Sequence, residues 1–409
     1  MDSTAEILLE RFSGDTDTDR TAARDRFREA GLPTPKQEAW KFTNLRPLTQ
    51  FLDARTEPAN DSTPAIPDTL VDGAHRVVII DGRIDSDLSD AGIDGLSLDQ
   101  GSALQADMGG RRAVRDLSIA MADDGLRITL DANAAPSQAL ELVFIGTGSR
   151  SGGHHFTLEI ALGSNSALTV VEHHLGSNAY AATLATDVRL ADGARLRHVK
   201  LQDESTEAFH LSDCAVEIGR DASHERFVLS VGSRLARDEV HVALNGQGSS
   251  VRLLGAYAGR GQQHLDHTTH IDHAVPNTSS HEVYKGVLDD RSRGVFQGGI
   301  RVMKDAQKTA GHQLNKALLL SRQAEIDSKP ALEIYADDVV CSHGATAGEI
   351  DEDALFYLRA RGIDAQAAKS LLVQAFLDEV FDDIADEGLR ERLKDRVHGA
   401  LQVEGAAHG

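Results

Sequence analysis

Hydrophobic and polar positions alternate with a period of two from about Leu140 onward. The runs LELVFIG, HFTLEIALG, ALTVVEHHL, ATDVRLA, RLRHVKL, CAVEIG, ERFVLSVG, EVHVALNG and VRLLGAYA follow one another with little between them. That period predicts strands, and no helical period interrupts them. Turn signals at Gly163, Gly193, Gly219 and Gly246 recur at roughly 26 to 30 residues, the range in which one coil adds a rung to a solenoid. A sandwich or a propeller is the competing all-β reading. Evenly spaced short strands without aromatic signatures favour stacked rungs, so the pattern predicts a mainly β chain built on a parallel β-helix.

Helical patterns flank this core. Residues 1–54 read as an N-terminal helical domain: Ser3 can cap a first helix, and a second starts near Asp17 to Asp19 and stops at Gly31. KQEAWKFTNL follows, with Trp40 and Phe42 as core or docking contacts. Residues 55–70, rich in proline and small polar residues, read as a linker. The core then spans 71–344, opening with HRVVIIDGRID turning at Asp81 and Gly82, and with short strands and a helix near 111–122 mixed into 84–135. Residues 345–409 form a C-terminal helical domain. Asp351 and Asp364 can cap its first two helices, and Gly362 stops the first. An apolar stripe of Ala368, Leu371, Leu372, Ala375, Phe376 and Phe381 marks the second helix, and Leu389, Leu393, Val397 and Leu401 mark the last. So small a tail calls for burial against the solenoid or a partner.

Charge and composition then narrow the function. The 409-residue chain carries 64 acidic against 42 basic residues, a formal charge of -22, which argues against nucleic-acid or anionic-membrane binding. Its two cysteines, Cys214 and Cys341, exclude a disulfide framework and suit a reducing cytosol. MDSTAEILLERF lacks the features of a signal peptide, and no long apolar run follows, so the expected location is cytoplasmic. Phosphate-loop, dinucleotide, GxSxG and HExxH signatures are absent, so nucleotide chemistry is not expected on this chain. A β-helix carbohydrate enzyme remains an alternative, against which the 4% aromatic content counts.

Chemistry concentrates in DSKPALEIYADDVVCSHGATAGE, residues 327–349. Read as one strand, Leu332, Ile334, Ala336 and Val340 share an inward side, and Glu333, Tyr335, Asp337, Val339, Cys341 and His343 share the other, with Gly344 ending the strand. Cys341 and His343 then stand roughly 6.5 to 7 Å apart, near enough to address one metal or cluster. Two ligands leave a tetrahedral site incomplete, so the others come from elsewhere, for instance another chain. Cys214 reads as core. His264, His267, His270 and His273 recur at every third residue, so only His264 with His270, or His267 with His273, can share a face, which favours a polar ladder over a metal box. His154, His155, His173 and His174 are expected to be solvent-exposed.

The stretches SSHEVYKGVLDDRSRGVFQGGIRVMKDAQKTAGHQLNKALLLS and KPALEIYADDVVCSHGATAGEIDEDALFYLRARGI resemble the SufB/SufD family of iron-sulfur cluster assembly proteins. GLPTPKQEAWKFTNL looks like the SufD branch. The resemblance implies a right-handed parallel β-helix between helical domains, a non-enzymatic scaffold that pairs with SufB and docks the ATPase SufC on its C-terminal helices, here Asp351 to about Ile384. It also implies a nascent Fe-S cluster, or iron, held transiently at the interface with SufB, with nothing bound tightly to the isolated chain. His343 matches the family's interface histidine, and Cys341 the cysteine of the same CSHGAT motif. Exposed solenoid edges also suit a homodimer in isolation. The nearest alternative is the SufB role, with persulfide sulfur received on a cysteine of this chain.

Overall fold

The computed structural model describes residues 18–53, 64–90, 92–101, 104, 112–122, 124–149 and 153–401. In it the alternating runs wind into a β-solenoid of about eight turns. The chain enters through β1 (His75–Ile80), β2 (Arg83–Asp90), β3 (Leu96–Gln100) and β4 (Asp124–Leu130). It continues through β5 (Leu140–Gly146), β6 (His154–Leu162), β7 (Ala167–Gly176), β8 (Ala181–Leu190), β9 (Arg195–Asp203), β10 (Phe209–Ile218), β11 (Ser223–Ser230) and β12 (Leu235–Leu244). The last turns are β13 (Ser250–Gly259), β14 (His264–His273), β15 (Ser279–Leu288), β16 (Arg293–Val302), β17 (Ala310–Leu319), β18 (Glu325–Ile334) and β19 (Val340–Gly348).

Successive strands alternate between two sheets. The ten-stranded sheet runs β19-β17-β15-β13-β11-β9-β7-β5-β1-β2, and the nine-stranded sheet runs from β18 through the even-numbered strands to β4 and β3. Pairing is parallel throughout except between β1 and β2 and between β3 and β4. A sandwich would have made antiparallel neighbours the rule, so the parallel pairing decides for stacked rungs.

Most strands are buried on both faces, which explains their dense apolar runs. The lumen side of the sheets is apolar over one part, with Leu168, Val170, Leu196, Val216, Ile218 and Val240 in one cluster. The other part is polar. Glu172 accepts from the rings of His174 (2.7 Å) and His198 (2.6 Å), and Asp238 is held by Lys200 (3.1 Å) and Arg226 (2.7 Å). Buried charge is tolerable only when paired in this way. The expectation that His154, His155, His173 and His174 are exposed is therefore wrong: all four are buried. One face of their strands looks into the lumen, where His174 stacks 4.4 Å from Phe144, and the other is covered.

Helices supply that cover. α1 (Thr18–Ala30), which ends at Gly31 with φ +67°, a 3-10 turn at Glu38–Trp40, α2 (Arg46–Asp53) and α3 (Ala113–Met121) pack on the nine-stranded sheet. Phe27, Trp40, Leu45 and Leu117 share a core there with Phe209, Leu211 and Leu235. The proposed Ser3 cap and linker residues 55–63 lie outside the described residues. α4 (Glu352–Ala360), α5 (Ala365–Phe381) and α6 (Glu387–Leu401) cover the ten-stranded sheet, and the Asp351 and Asp364 side chains cap α4 and α5 as the sequence predicts. The stripe predicted for α5 needs correction. Val373, Leu377, Val380 and Phe381 pack on Val199, Leu201, Phe227 and Leu254, while Leu371 is exposed. α5 is apolar on two faces, and periodicity alone cannot choose which one docks. Among the described residues no helix is long and apolar enough to cross a membrane.

Candidate functional site at the open end of the solenoid

The stretch read as one strand is in fact two, β18 and β19, joined by a turn through residues 335–339. That turn reverses the alternation. Ile326 and Leu332 of β18 pack on the lumen cluster, and so does Cys341 of β19, whereas Val340 is 65% exposed. Leu332 and Ile334 therefore keep the inward parity predicted, but Val340 does not share it. Glu333 and Tyr335 do not share a face with Cys341 and His343. Gly344 does not end the strand either, since β19 runs to Gly348.

Cys341 and His343 do stand on one face, two residues apart. Parallel register places Cys341 over Gly311 and Ser280, and His343 over Gln313 and Glu282. A Cβ at Gly311 would lie 3.4 Å from the Cys341 sulfur and 3.5 Å from the Ser280 hydroxyl, ordinary contact distances, so the thiol sits directly on the column beneath it. Burial pushes the half-buried Cys341 thiol upward, against a hydrogen bond from the Gly311 backbone. At neutral pH it is a thiol, and a metal or a base must remove its proton before it can ligate.

His343 is exposed, and no described residue hydrogen-bonds to its ring. Beneath it, Gln313 donates to Glu282 at 2.7 Å, and both side chains are buried. Burial pushes the Glu282 carboxyl up to about 7, with the Thr269 and Gln313 hydrogen bonds opposing. On the outer face, His312 meets the hydroxyl of Ser342 at 2.8 Å. The arrangement offers one soft and one borderline donor at a rung with no rung above it. Two donors are half of what a four-coordinate metal takes.

The other candidates fall elsewhere. Cys214 is buried in the lumen, its thiol pushed up to about 12 chiefly by burial, which fits a core residue. The four histidines of β14 do not form one ladder. His273 bonds Thr278 (2.7 Å) and Ser280 (2.9 Å), and His267 packs between Tyr257 and Tyr284, both inside. His264 meets Thr43 at 2.9 Å, and His270 stacks on His241 of β12 with ring centres 4.6 Å apart. Glu239 and His241, one strand away, complete a carboxylate and two imidazoles whose donor atoms lie within 4.8 Å of one another. Spacing within one strand could not reveal that group, since its members sit on neighbouring rungs.

Comparison with known proteins gives the family. Residues 144–376 match the family model described as SUF system FeS cluster assembly, SufBD core domain. The chain is 31% identical to the iron-sulfur cluster assembly protein SufD of Escherichia coli, over 90% of this chain and 89% of that one. It is 26% identical to an iron-sulfur cluster assembly SufBD family protein of Synechocystis, over 92% of this chain and 89% of that one. A chloroplastic protein of Arabidopsis thaliana, ABCI7, is 33% identical over 57% of this chain and 50% of that one. With a matched core that holds most of the rungs and the strand before CSHGAT continued into it, the chain belongs to the SufBD family of SUF-system iron-sulfur cluster assembly proteins, on its SufD-like side.

Proposed function

We propose that the chain is a non-catalytic scaffold subunit that pairs through its last rung with a SufB-like chain. The observation that carries this is the free edge at β19. VCSHGATAG holds no proline and no Asp, Glu, Lys or Arg, and it ends the ten-stranded sheet. Natural proteins protect such edges with charge, proline or a cover. β18, the other terminal edge, has that protection: Glu325, Asp327, Lys329, Pro330 and Glu333. Tyr335 in the turn before it and Val340 at its start are exposed, which suits a strand added by a partner.

In that pairing His343, with Cys341, supplies donors from this side, and the partner completes the set. The cluster is cargo: iron and sulfide are assembled at the junction and leave. Winding is right-handed, as parallel strand-to-strand crossovers are. α4 and α5 dock the ATPase SufC, for which the support is an apolar surface left open among the described residues: Phe356 is 74% exposed, Tyr357 56% and Leu371 46%. The SufB-like role, with sulfur received on Cys341, fits less well because a thiol raised by burial is a poor nucleophile. A carbohydrate enzyme fits poorly too. The cavity of about 650 Å³ between the ten-stranded sheet and the C-terminal helices has Phe227 as its single Phe, Tyr or Trp.

The test is copurification from cytosol with iron and sulfide analysis of wild type and His343→Ala. Recovery of SufB-like and SufC-like partners with both forms, and loss of iron and sulfide from the variant alone, is expected. A variant complex with a full complement of cluster would remove His343 from the site.

A further inference from the structure

We propose that Glu239, His241 and His270 form a binding site for a divalent first-row transition-metal ion on the outer face of the nine-stranded sheet. The site lies on β12 and β14, away from the terminal rung and on the opposite face of the wall from the lumen. It does not depend on the cluster-assembly reading.

The geometry comes from register. His241 and His270 are direct partners across parallel strands, and their rings stack at 24° with centres 4.6 Å apart. Glu239 precedes His241 by two residues and shares its face, with Oε1 2.8 Å from His241 Nε2. The three donor atoms lie within 4.8 Å of one another, close enough for one ion at ordinary metal-ligand distances. The row holding the two imidazoles continues to Ala215 on one side and to Gly299 and Ala331 on the other. A Cβ at Gly299 would stand 3.1 Å from His270 Nδ1, so the glycine keeps space open beside that nitrogen.

Support from behind the donors is already in place. Arg237 holds the second Glu239 oxygen through Nε (3.1 Å) and Nη2 (2.8 Å), which keeps Oε1 turned toward His241 Nε2, where an ion would take the place of the proton the two atoms share. Arg237 is itself paired with Asp266 and lies 4.0 Å over the Trp40 ring, so its position is fixed by the segment that crosses the sheet. Outer partners of this kind orient ligands and are worth about 10- to 100-fold in affinity. Two imidazoles and one carboxylate suit Zn²⁺, Co²⁺ or Fe²⁺. They do not suit Mg²⁺ or Ca²⁺, which take oxygen sets. Three protein ligands leave a coordination position for water or a further ligand.

The test is titration of the full chain with Co²⁺, read by its visible ligand-field absorption, for wild type, His270→Ala, His241→Ala and His343→Ala, with unfolding midpoints as a check on each. Wild type and His343→Ala should give the same nitrogen-ligated spectrum, reversed by Zn²⁺. His270→Ala and His241→Ala should each bind at least about tenfold more weakly while unfolding normally. Co²⁺ that stays aquated with the wild type, or equal binding by wild type and by whichever of the two histidine variants folds, overturns the site. Loss of the spectrum in His343→Ala alone would assign the bound ion to the terminal rung and overturn it equally.

Discussion

Replacing Glu282 by Gln should stabilise the protein at pH 8 and leave it nearly unchanged at pH 5. Glu282 points into the lumen two rungs below His343, fully buried, and Gln313 Nε2 donates to it at 2.7 Å. Burial holds its carboxyl at about 7 against an ordinary 4.5. In the pH range between those values the unfolded chain has lost the proton and the folded chain keeps it. The contribution of the group is therefore fully present below pH 4.5 and is lost as pH rises through 7. The difference corresponds to about 3 kcal/mol at pH 8 and less than about 1 kcal/mol at pH 5. Glutamine offers the same acceptor to Gln313 without the charge, so it escapes that loss. Urea unfolding of both proteins at the two pH values measures the gap, and other titrating groups cancel between them. A gap that is the same at pH 5 and pH 8 would refute the assignment of Glu282 as a carboxyl buried without a cation.

Four further outcomes follow from the same structure. Phe356→Ala with Tyr357→Ala should reduce recovery of the SufC-like ATPase at least about tenfold while the SufB-like partner still copurifies, as expected when exposed aromatic anchors are truncated; pull-down with quantitation of both partners reads it. His343→Ala should cut iron and sulfide recovered with the complex, measured per assembled complex. Gly286→Ala should destabilise by about 1 to 3 kcal/mol or more, because its Cβ would lie 2.0 Å from the Tyr257 ring it faces in register; the urea midpoint measures it. Acidification from pH 6.5 toward 4 should weaken the fold, since burial pushes His174, His267 and His273 down to about 4, so the unfolded chain takes up protons first; circular dichroism against pH follows it.

The sequence makes the rungs legible because period-two alternation and glycine-marked turns are local signals, and β5 through β13 stand where the runs predict. It hides the lumen. Glu172, His198 and Arg226 look like the wet face of a strand, yet Glu172 meets His198 from the next rung, 26 residues on, and Arg226 meets Asp238, 12 residues on in the other sheet. The candidate pair was legible as a pair because Cys341 and His343 lie within one strand. Its surroundings were not, since residues 335–339 break the alternation and no local pattern reports how many residues a turn consumes. Glu239, His241 and His270 escaped for the related reason that their meeting is set by register between strands.

The same register explains why donors can serve at the last rung and not below it. Gly311 and Gln313 occupy the lumen columns of Cys341 and His343 one rung earlier, and both are buried. A donor at either position would be closed off between rungs. At β19 the column ends, so the thiol and the imidazole keep the orientation of core residues while His343 remains exposed. Orientation is thus fixed by the stacking beneath, and access by the absence of stacking above. A second chain that added a strand to β19 would convert this surface into lumen, removing water from Cys341 and His343 and bringing its own inward residues over them. Any ion or cluster held there would then sit in a pocket whose two halves close only on assembly.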